Sequence, residues 1–221
     1  GCFADWRDGR LHFTFSGQGV WAIKAALSKV LGLDAEAVHV SIPDVGGGFG
    51  MKVLPYPEYF AVAAAARLAG RAVRWVPDRG ESMLTDNAGR DLSSLAEAAF
   101  DANLRLLAYR VNTLSNLGAY NSGFAQNIQS ELALKVLTGA YAVQDVFFAV
   151  RGIYTNTTQV DAYRGAGRPE AIYVLERLMD RAARELGVSP GELRRRNFIP
   201  ADAFPFVTAS GETYDTGDFH R

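Results

Sequence analysis

The 221-residue chain has little of what a metal-binding protein usually displays. It carries one cysteine, Cys2, and three histidines, His12, His39 and His220. One cysteine excludes an intrachain disulfide framework, a CxxC pair and a self-contained iron–sulfur site. Three scattered histidines argue against a zinc site. Neither charge sign is in excess: 23 Lys+Arg against 24 Asp+Glu leave a net charge of -1, which argues against a strongly basic nucleic-acid binder. No stretch approaches the roughly 20 apolar residues that span a bilayer. The longest apolar run, Phe60 to Ala66, is followed by Arg67, and no signal peptide is visible. A cytoplasmic location is the expectation. The chain opens on Gly1 rather than Met and reads as part of something longer. Any metal chemistry must therefore come with a cofactor held by other groups.

What is present is ordinary for a folded protein: 48% apolar and 21% charged residues, in a chain long enough for one large domain or two small ones. Leu11–Phe15 alternates and reads as a strand. Val20, Ile23, Leu27 and Val30 stand at helical spacing, so Val20–Leu31 reads as an amphipathic helix stopped by Gly32. Ala37–Ile42 is a short strand, Pro57–Leu68 an alanine-rich helix ending near Gly70, and Arg71–Val76 a strand. Leu92–Phe100 and Leu104–Asn116 form a long hairpin around Asp101-Ala102-Asn103. Leu132–Val136 suggests a short helix and Val146–Tyr154 a strand. A helix from Pro169 to about Leu186 places Ala171, Leu175, Leu178, Ala182 and Leu186 on one face. Ser189-Pro190-Gly191-Glu192 is a capping-box signature opening a last helix through Arg196. Ala201–Arg221 shows no clear element. The mixture predicts an α+β fold of mixed sheets with packed helices.

Two loops stand out. Pro43-Asp44-Val45-Gly46-Gly47-Gly48-Phe49-Gly50 follows a strand. Glycine reaches positive φ cheaply and admits close approach to the backbone, and successive exposed N–H groups make an anion-binding concavity. The pattern is neither G-x-G-x-x-G nor a Walker loop. A plain tight turn and a ligand loop both remain open on glycine content, and Phe49 tilts the choice toward a ligand. Tyr163-Arg164-Gly165-Ala166-Gly167-Arg168 sets two arginines among small residues just before a helix, where an anion is favoured. Alone, it equally suits a loop whose arginines pair with Asp161 or Glu170.

Together the loops are far more specific. Pro43 to Lys52 (PDVGGGFGMK), followed more than 100 residues later by Ala162 to Arg168 (AYRGAGR), resembles the molybdenum-binding large subunit of the xanthine oxidase/aldehyde oxidase family. That family includes the aerobic carbon monoxide dehydrogenase large subunits. Gln18, Gly139-Ala140-Tyr141, Tyr154-Thr155-Asn156 and Leu193 to Pro200 add to the likeness, which spans essentially all 221 residues. The resemblance implies that residues 1–221 are the first molybdenum cofactor (molybdopterin)-binding domain of a larger subunit. It implies an oxidoreductase that hydroxylates an aldehyde or N-heteroaromatic substrate with water-derived oxygen. The metal is held by a pterin dithiolene, in bacterial members commonly the cytosine dinucleotide form, and the protein supplies positioning and electrostatics. Electrons leave through [2Fe–2S] clusters and FAD in partner subunits of an assembled complex, expected to be a dimer. Partners are therefore the remainder of the large subunit, an iron–sulfur subunit and an FAD subunit, with no nucleic acid and no membrane span. Another reading keeps the fold as a non-catalytic scaffold without molybdenum; a third is a complete small enzyme that uses its own carboxylates.

By position, the resemblance assigns Gln18 to an oxo ligand of the metal. It assigns Gly47, Gly48, Phe49 and Gly50 to the loop facing pterin and metal, and Arg164 and Gly165 to the loop beside the metal's oxygen ligands. It assigns Val53, Leu132 and Ala166 to the substrate pocket, where purine hydroxylases carry a glutamate, an arginine and a phenylalanine. With all three replaced, a purine substrate is not expected, because its polar edge would go unsatisfied. Gly165 stands where molybdenum–copper carbon monoxide dehydrogenases carry a copper-ligating cysteine. Glycine cannot ligate copper, so carbon monoxide oxidation is not expected. The catalytic glutamate of the family belongs to a later domain, so no catalytic residue is assigned within 1–221 and the chain is expected to be inactive alone. Glu58, Glu81, Glu131, Glu170 and Glu212 are read as solvated or salt-bridged surface carboxylates.

The remaining features receive ordinary readings. Arg194-Arg195-Arg196 is a solvated face or subunit contact. Cys2 and the three tryptophans, Trp6, Trp21 and Trp75, pack in the core. His39 is a strand residue rather than a ligand. Exposed apolar surface is expected where the rest of the subunit packs.

Overall fold

The computed structural model describes residues 1–220, and the chain falls into two compact units. The first comprises Gly1–Asn87 with Ala162–Arg164, and the second Ala88–Asp161 with the chain from Gly165 onward. Both mix sheet and helix, as the α+β reading expects.

The first unit begins with a hairpin, β1 (Cys2–Arg7) and β2 (Arg10–Phe15), joined by Asp8-Gly9, both at positive φ. Asp-Gly is a strong two-residue hairpin signal, so the strand at Leu11 has a partner that its own alternation does not reveal. Helix α1 (Trp21–Leu31) then crosses over to β3 (Val38–Ser41), which pairs parallel with β2. Gly32 closes α1 in the left-handed conformation. Helix α2 (Pro57–Ala69) leads to β4 (Val73–Trp75), antiparallel to β1, giving the order β3-β2-β1-β4. Asp78 caps α3 (Arg79–Thr85) in a reciprocal box with Glu81. That helix is short, and its cap is the main local signal for it.

Ile23 and Leu27 of α1 and Tyr59, Val62, Ala63 and Ala66 of α2 bury against Leu11, Phe13 and Phe15 of β2. Cys2 joins this core, and burial pushes its thiol up to about 11. Trp6 and Trp75 pack at its border, Trp6 donating its indole N–H to the Ala63 carbonyl at 3.0 Å. Trp21 does not: at the first turn of α1 it is 77% exposed, because the apolar stripe of the helix runs through Ile23 and Leu27. His39 lies exposed on β3 with its ring 5.5 Å from that of His12.

The second unit is built on the expected hairpin, β5 (Leu92–Phe100) and β6 (Leu106–Gly118). Asp101 Oδ1 accepts from the N–H groups of Asn103 and Arg105 across the turn. Strand β7 (Asp145–Tyr154) pairs parallel with β6. The helix expected at Leu132–Val136 is the end of a longer helical segment: α4 (Ala125–Asn127) continues as a π turn over Ile128–Leu132 and a last helical step at 133–134. Helix α5 (Arg168–Glu185) packs on β5, and α6 (Pro190–Asn197) on α5. The buried stripe of α5 is Ala171, Leu175, Met179 and Ala183. Leu178 and Ala182 only flank it and Leu186 is exposed, since steps of four residues from Ala171 follow the groove more closely than the assigned face does.

Ser189 accepts from the Glu192 N–H, but the Glu192 carboxylate turns to Arg196, so the box is half made. Arg194 is no solvated residue: it bridges Glu176 and Asp180 of α5. The tail holds a small hairpin, β8 (Phe206–Val207) with β9 (Thr213–Tyr214), whose two-residue strands are too short to show periodicity. Among the described residues, no helix is long and apolar enough to cross a membrane.

Candidate functional site

The glycine loop leaves β3 and ends in a 3-10 turn over Met51–Val53. Two side chains shape it. Lys52 Nζ donates to Ser16 Oγ and to the Val45 carbonyl, both at 2.9 Å, tying the start of the loop to the end of β2. Gln18 Oε1 accepts from the Gly50 N–H at 2.8 Å, and the Gln18 N–H donates to the Lys52 carbonyl at 3.0 Å. Because a backbone N–H can only donate, this bond turns the Gln18 carbonyl inward and leaves its NH2 group as the outward donor. Gly48 lies against that side chain, where a Cβ would stand 2.4 Å from the Gln18 carboxamide.

The backbone between these anchors is open. The N–H groups of Gly46, Gly47, Gly48 and Phe49 donate to no protein acceptor among the described residues. Gly46, Gly47 and Gly50 have positive φ, and so does Phe49 at 55°. A bulky residue held there is strained, and Phe49 is 53% exposed as well. Its ring is covered by the Arg164 guanidinium at 4.6 Å, and its carbonyl accepts from the Arg164 N–H at 2.9 Å. Gly50 meets the same segment, since a Cβ there would stand 2.7 Å from the Ala162 carbonyl oxygen. The fold thus joins the first loop to Ala162–Arg164, more than 100 residues away, through backbone contacts.

The rest of the second loop belongs to the second unit. The Gly165 carbonyl accepts from the Arg168 N–H and from Arg168 Nη1, each at 3.2 Å, while the N–H groups of Gly165 and Ala166 donate to no protein acceptor among the described residues. Ala166 holds φ at 43°. Gly167 is pressed on the π turn that continues α4, where a Cβ would overlap the Ile128 carbonyl oxygen and stand 3.0 Å from the Ala133 nitrogen. This contact sets Ala166 beside the π turn that contains Leu132. Val53 lies in the 3-10 turn of the first unit.

The first loop, with Gln18 and Arg164 of the same unit, can bind oxygen atoms that carry negative charge. It offers preorganised backbone N–H groups, an amide NH2 and the Arg164 guanidinium. Among the described residues, no group of three or more His, Cys, Asp or Glu is arranged to hold a metal ion. The donor set suits a cofactor that brings its own metal ligands and presents oxygen atoms to the protein.

The family described as molybdopterin cofactor-binding domain matches residues 1–198. This chain belongs to that family. It is 33% identical to the carbon monoxide dehydrogenase large chain of Hydrogenophaga pseudoflava, over 100% of this chain and 28% of that one. It is 34% identical to the nicotine 6-hydroxylase large subunit of Paenarthrobacter nicotinovorans, over 99% of this chain and 27% of the relative. In structure it is similar to quinoline 2-oxidoreductase from Pseudomonas putida 86, with a TM-score of 0.92 and 33% identity, over 97% of this chain and 28% of that one. The chain therefore spans little more than a quarter of the length of these relatives. All three relatives are named as a dehydrogenase, a hydroxylase or an oxidoreductase, and two of them as a large chain or large subunit.

Within this molybdopterin-binding domain, the sequence reading names Lys52 only as part of a motif, although its ammonium pins the glycine loop. The glutamates divide. Glu81 caps α3 and Glu131 accepts from Asn127, as surface carboxylates do. Glu58 has one oxygen buried without a hydrogen-bond partner. Glu170 is salt-bridged, to Arg90, as the sequence suggests, but its side chain is only 9% exposed and its Oε2 is buried, so it is less a surface group than expected.

Proposed function

We propose that this chain is the first molybdenum-cofactor-binding domain of a hydroxylase large subunit, and that its two loops hold the oxygen-rich side of the cofactor. The observation that carries this reading is the row of open N–H groups from Gly46 to Phe49, braced by the Gln18–Gly50 bond. When bound, the molybdenum–pterin group supplies two-electron redox chemistry. The residues of the chain orient it: the Gln18 NH2 group, the backbone of Gly47, Gly48, Phe49 and Gly50, and the segment Arg164–Gly165 are its contacts. Val53 of the first unit and Leu132 and Ala166 of the second are the residues assigned to the substrate, and none offers a charge or a hydrogen-bonding side chain, which suits an apolar substrate.

An N-heteroaromatic ring is the preferred substrate class, since two relatives are named for nicotine and quinoline; an aldehyde is the alternative. Carbon monoxide is disfavoured because Gly165 has no sulfur for copper. The proton-abstracting glutamate, iron–sulfur and FAD subunits, the cytosine dinucleotide form, dimeric assembly and a cytoplasmic location complete the proposal. The test is to produce the complete large subunit with its partner subunits, then measure bound molybdenum, the released pterin nucleotide, and turnover of quinoline, benzaldehyde and carbon monoxide. Stoichiometric molybdenum with turnover of quinoline or benzaldehyde is expected. A folded complex without molybdenum would leave a scaffold role in its place.

A further inference from the structure

The Arg90–Glu170 pair lies outside the loop residues assigned above, and its surroundings are unlike those of a surface ion pair. Arg90 Nε is 3.2 Å from Glu170 Oε1, and the Glu170 side chain is only 9% exposed. Glu170 stands in the first turn of α5, where the helix dipole favours a carboxylate. Its second oxygen, Oε2, is buried without a hydrogen-bond partner. Leaving a buried charged oxygen short of donors is costly, so such a pair is weak as a stability device.

Its placement suggests a different use. Arg90 follows Ala88, whose N–H donates to Gln159 and whose carbonyl accepts from Asp161, on the stretch that runs into the second loop. The guanidinium then passes Gly165: Arg90 Nη2 is 3.6 Å from where a Cβ on Gly165 would stand, and the Pro169 ring fills the same space at 2.5 Å. The Gly165 carbonyl is held by Arg168, so Gly165 lies between that bond on one side and the Arg90 guanidinium and Pro169 ring on the other.

We propose that Arg90 and Glu170 are positioning residues: a strut, anchored by the near-buried Glu170 carboxylate in the first turn of α5, that fixes the backbone of Gly165 and Ala166 against the cofactor. The proposal rests on the cofactor-binding reading of that loop. Arginine is required because its planar fork can engage a carboxylate on one edge and lie along a backbone on the other, which a lysine ammonium cannot do.

The test uses the complete complex with Glu170→Gln and, separately, Arg90→Lys, with Arg194→Lys as a control in an arginine of α6 that bridges two carboxylates of α5. Three quantities are read: amide hydrogen exchange of residues 162–168, molybdenum content, and quinoline turnover per bound molybdenum. Faster exchange confined to the loop is expected in both strut variants. Molybdenum content should stay within about twofold, and kcat per molybdenum should fall about 10- to 100-fold with little change in KM, the effect of a misplaced reacting geometry. The control should change none of the three.

Wild-type exchange in the loop of either strut variant overturns the proposal, as does a loss of turnover that only follows lost molybdenum. If Glu170→Gln does not fold, Arg90→Lys decides, since it keeps the charge. If the wild-type complex binds no molybdenum, the cofactor reading fails, whereas unchanged exchange with molybdenum bound fails the strut alone. Where quinoline is not a substrate, loop exchange and molybdenum content decide.

Discussion

The two glycine loops solve different problems with the same residue. In the first, Gly48 makes room for a side chain, Gln18, and the backbone beyond it is left open. In the second, Gly167 makes room for backbone: the Ile128 carbonyl and the Ala133 nitrogen of another element stand where a side chain would be. A side chain can swing away from an intruding methyl group, whereas a helix carbonyl cannot move without its helix. Gly48 should therefore tolerate substitution in folding and fail in binding, while Gly167 should fail in folding.

Gly167→Ala is the sharpest way to break this contrast. Strain at positive φ added to overpacking should cost about 3–4 kcal/mol, seen as a lowered denaturation midpoint of the second unit. A cost near zero would mean that the loop is not clamped by the π turn that continues α4. Gly50→Ala comes next, because its φ is 95° and the Ala162 carbonyl blocks a Cβ at 2.7 Å. A single backbone contact with a loop segment can yield more readily than a helix, so about 2–3 kcal/mol is expected by the same reasoning. Gly48→Ala should cost only about 1 kcal/mol, because Gln18 can rotate away at the loss of one hydrogen bond. In the complete complex, however, it should lower molybdenum content severalfold, as metal analysis would reveal. Equal stability losses at Gly48 and Gly167 would erase the distinction between the loops.

A last contrast concerns pH. Tyr59, between β2 and α2, has its phenol pushed up to about 12 by burial. Since the folded state holds the proton more tightly than the unfolded chain, whose tyrosines titrate near 10, the contribution of Tyr59 is intact below about pH 10. It is lost as pH rises from there toward 12. Tyr109 and Tyr141 of the second unit are raised in the same direction, Tyr109 by burial alone and Tyr141 by burial and its bond to Glu176. Alkaline unfolding followed by phenolate absorbance should hence destabilise both units over this window; a flat profile between pH 10 and 12 would contradict the burial of Tyr59.

Much of this was legible in one dimension. The β5–β6 hairpin follows from alternation on either side of Asp101-Ala102-Asn103, and both glycine loops are visible as composition. The hairpin of β1 and the cap of α3 also have local signals, Asp8-Gly9 and Asp78 with Glu81, but the periodic segments beside them are too short to draw attention. Burial of individual side chains was less legible. Trp21 and Leu186 have the composition of core residues and lie outside the core, while Glu170 has that of a surface residue and is buried. Periodicity places a residue on a helix face, and only the neighbouring elements decide which part of that face is covered.

By itself the sequence determined the supply of chemical groups: one thiol, few imidazoles, and two loops rich in residues that expose backbone N–H groups. That supply excludes side-chain ligation of a metal cluster and favours a cofactor with its own ligands. Only the tertiary structure decided which N–H groups remain open, which way the Gln18 amide faces, and that Phe49 and Arg164 meet. Those outcomes depend on contacts between segments far apart in the chain, 32 residues for Gln18 and Gly50 and more than 100 for Phe49 and Arg164, where no local preference of the chain can act.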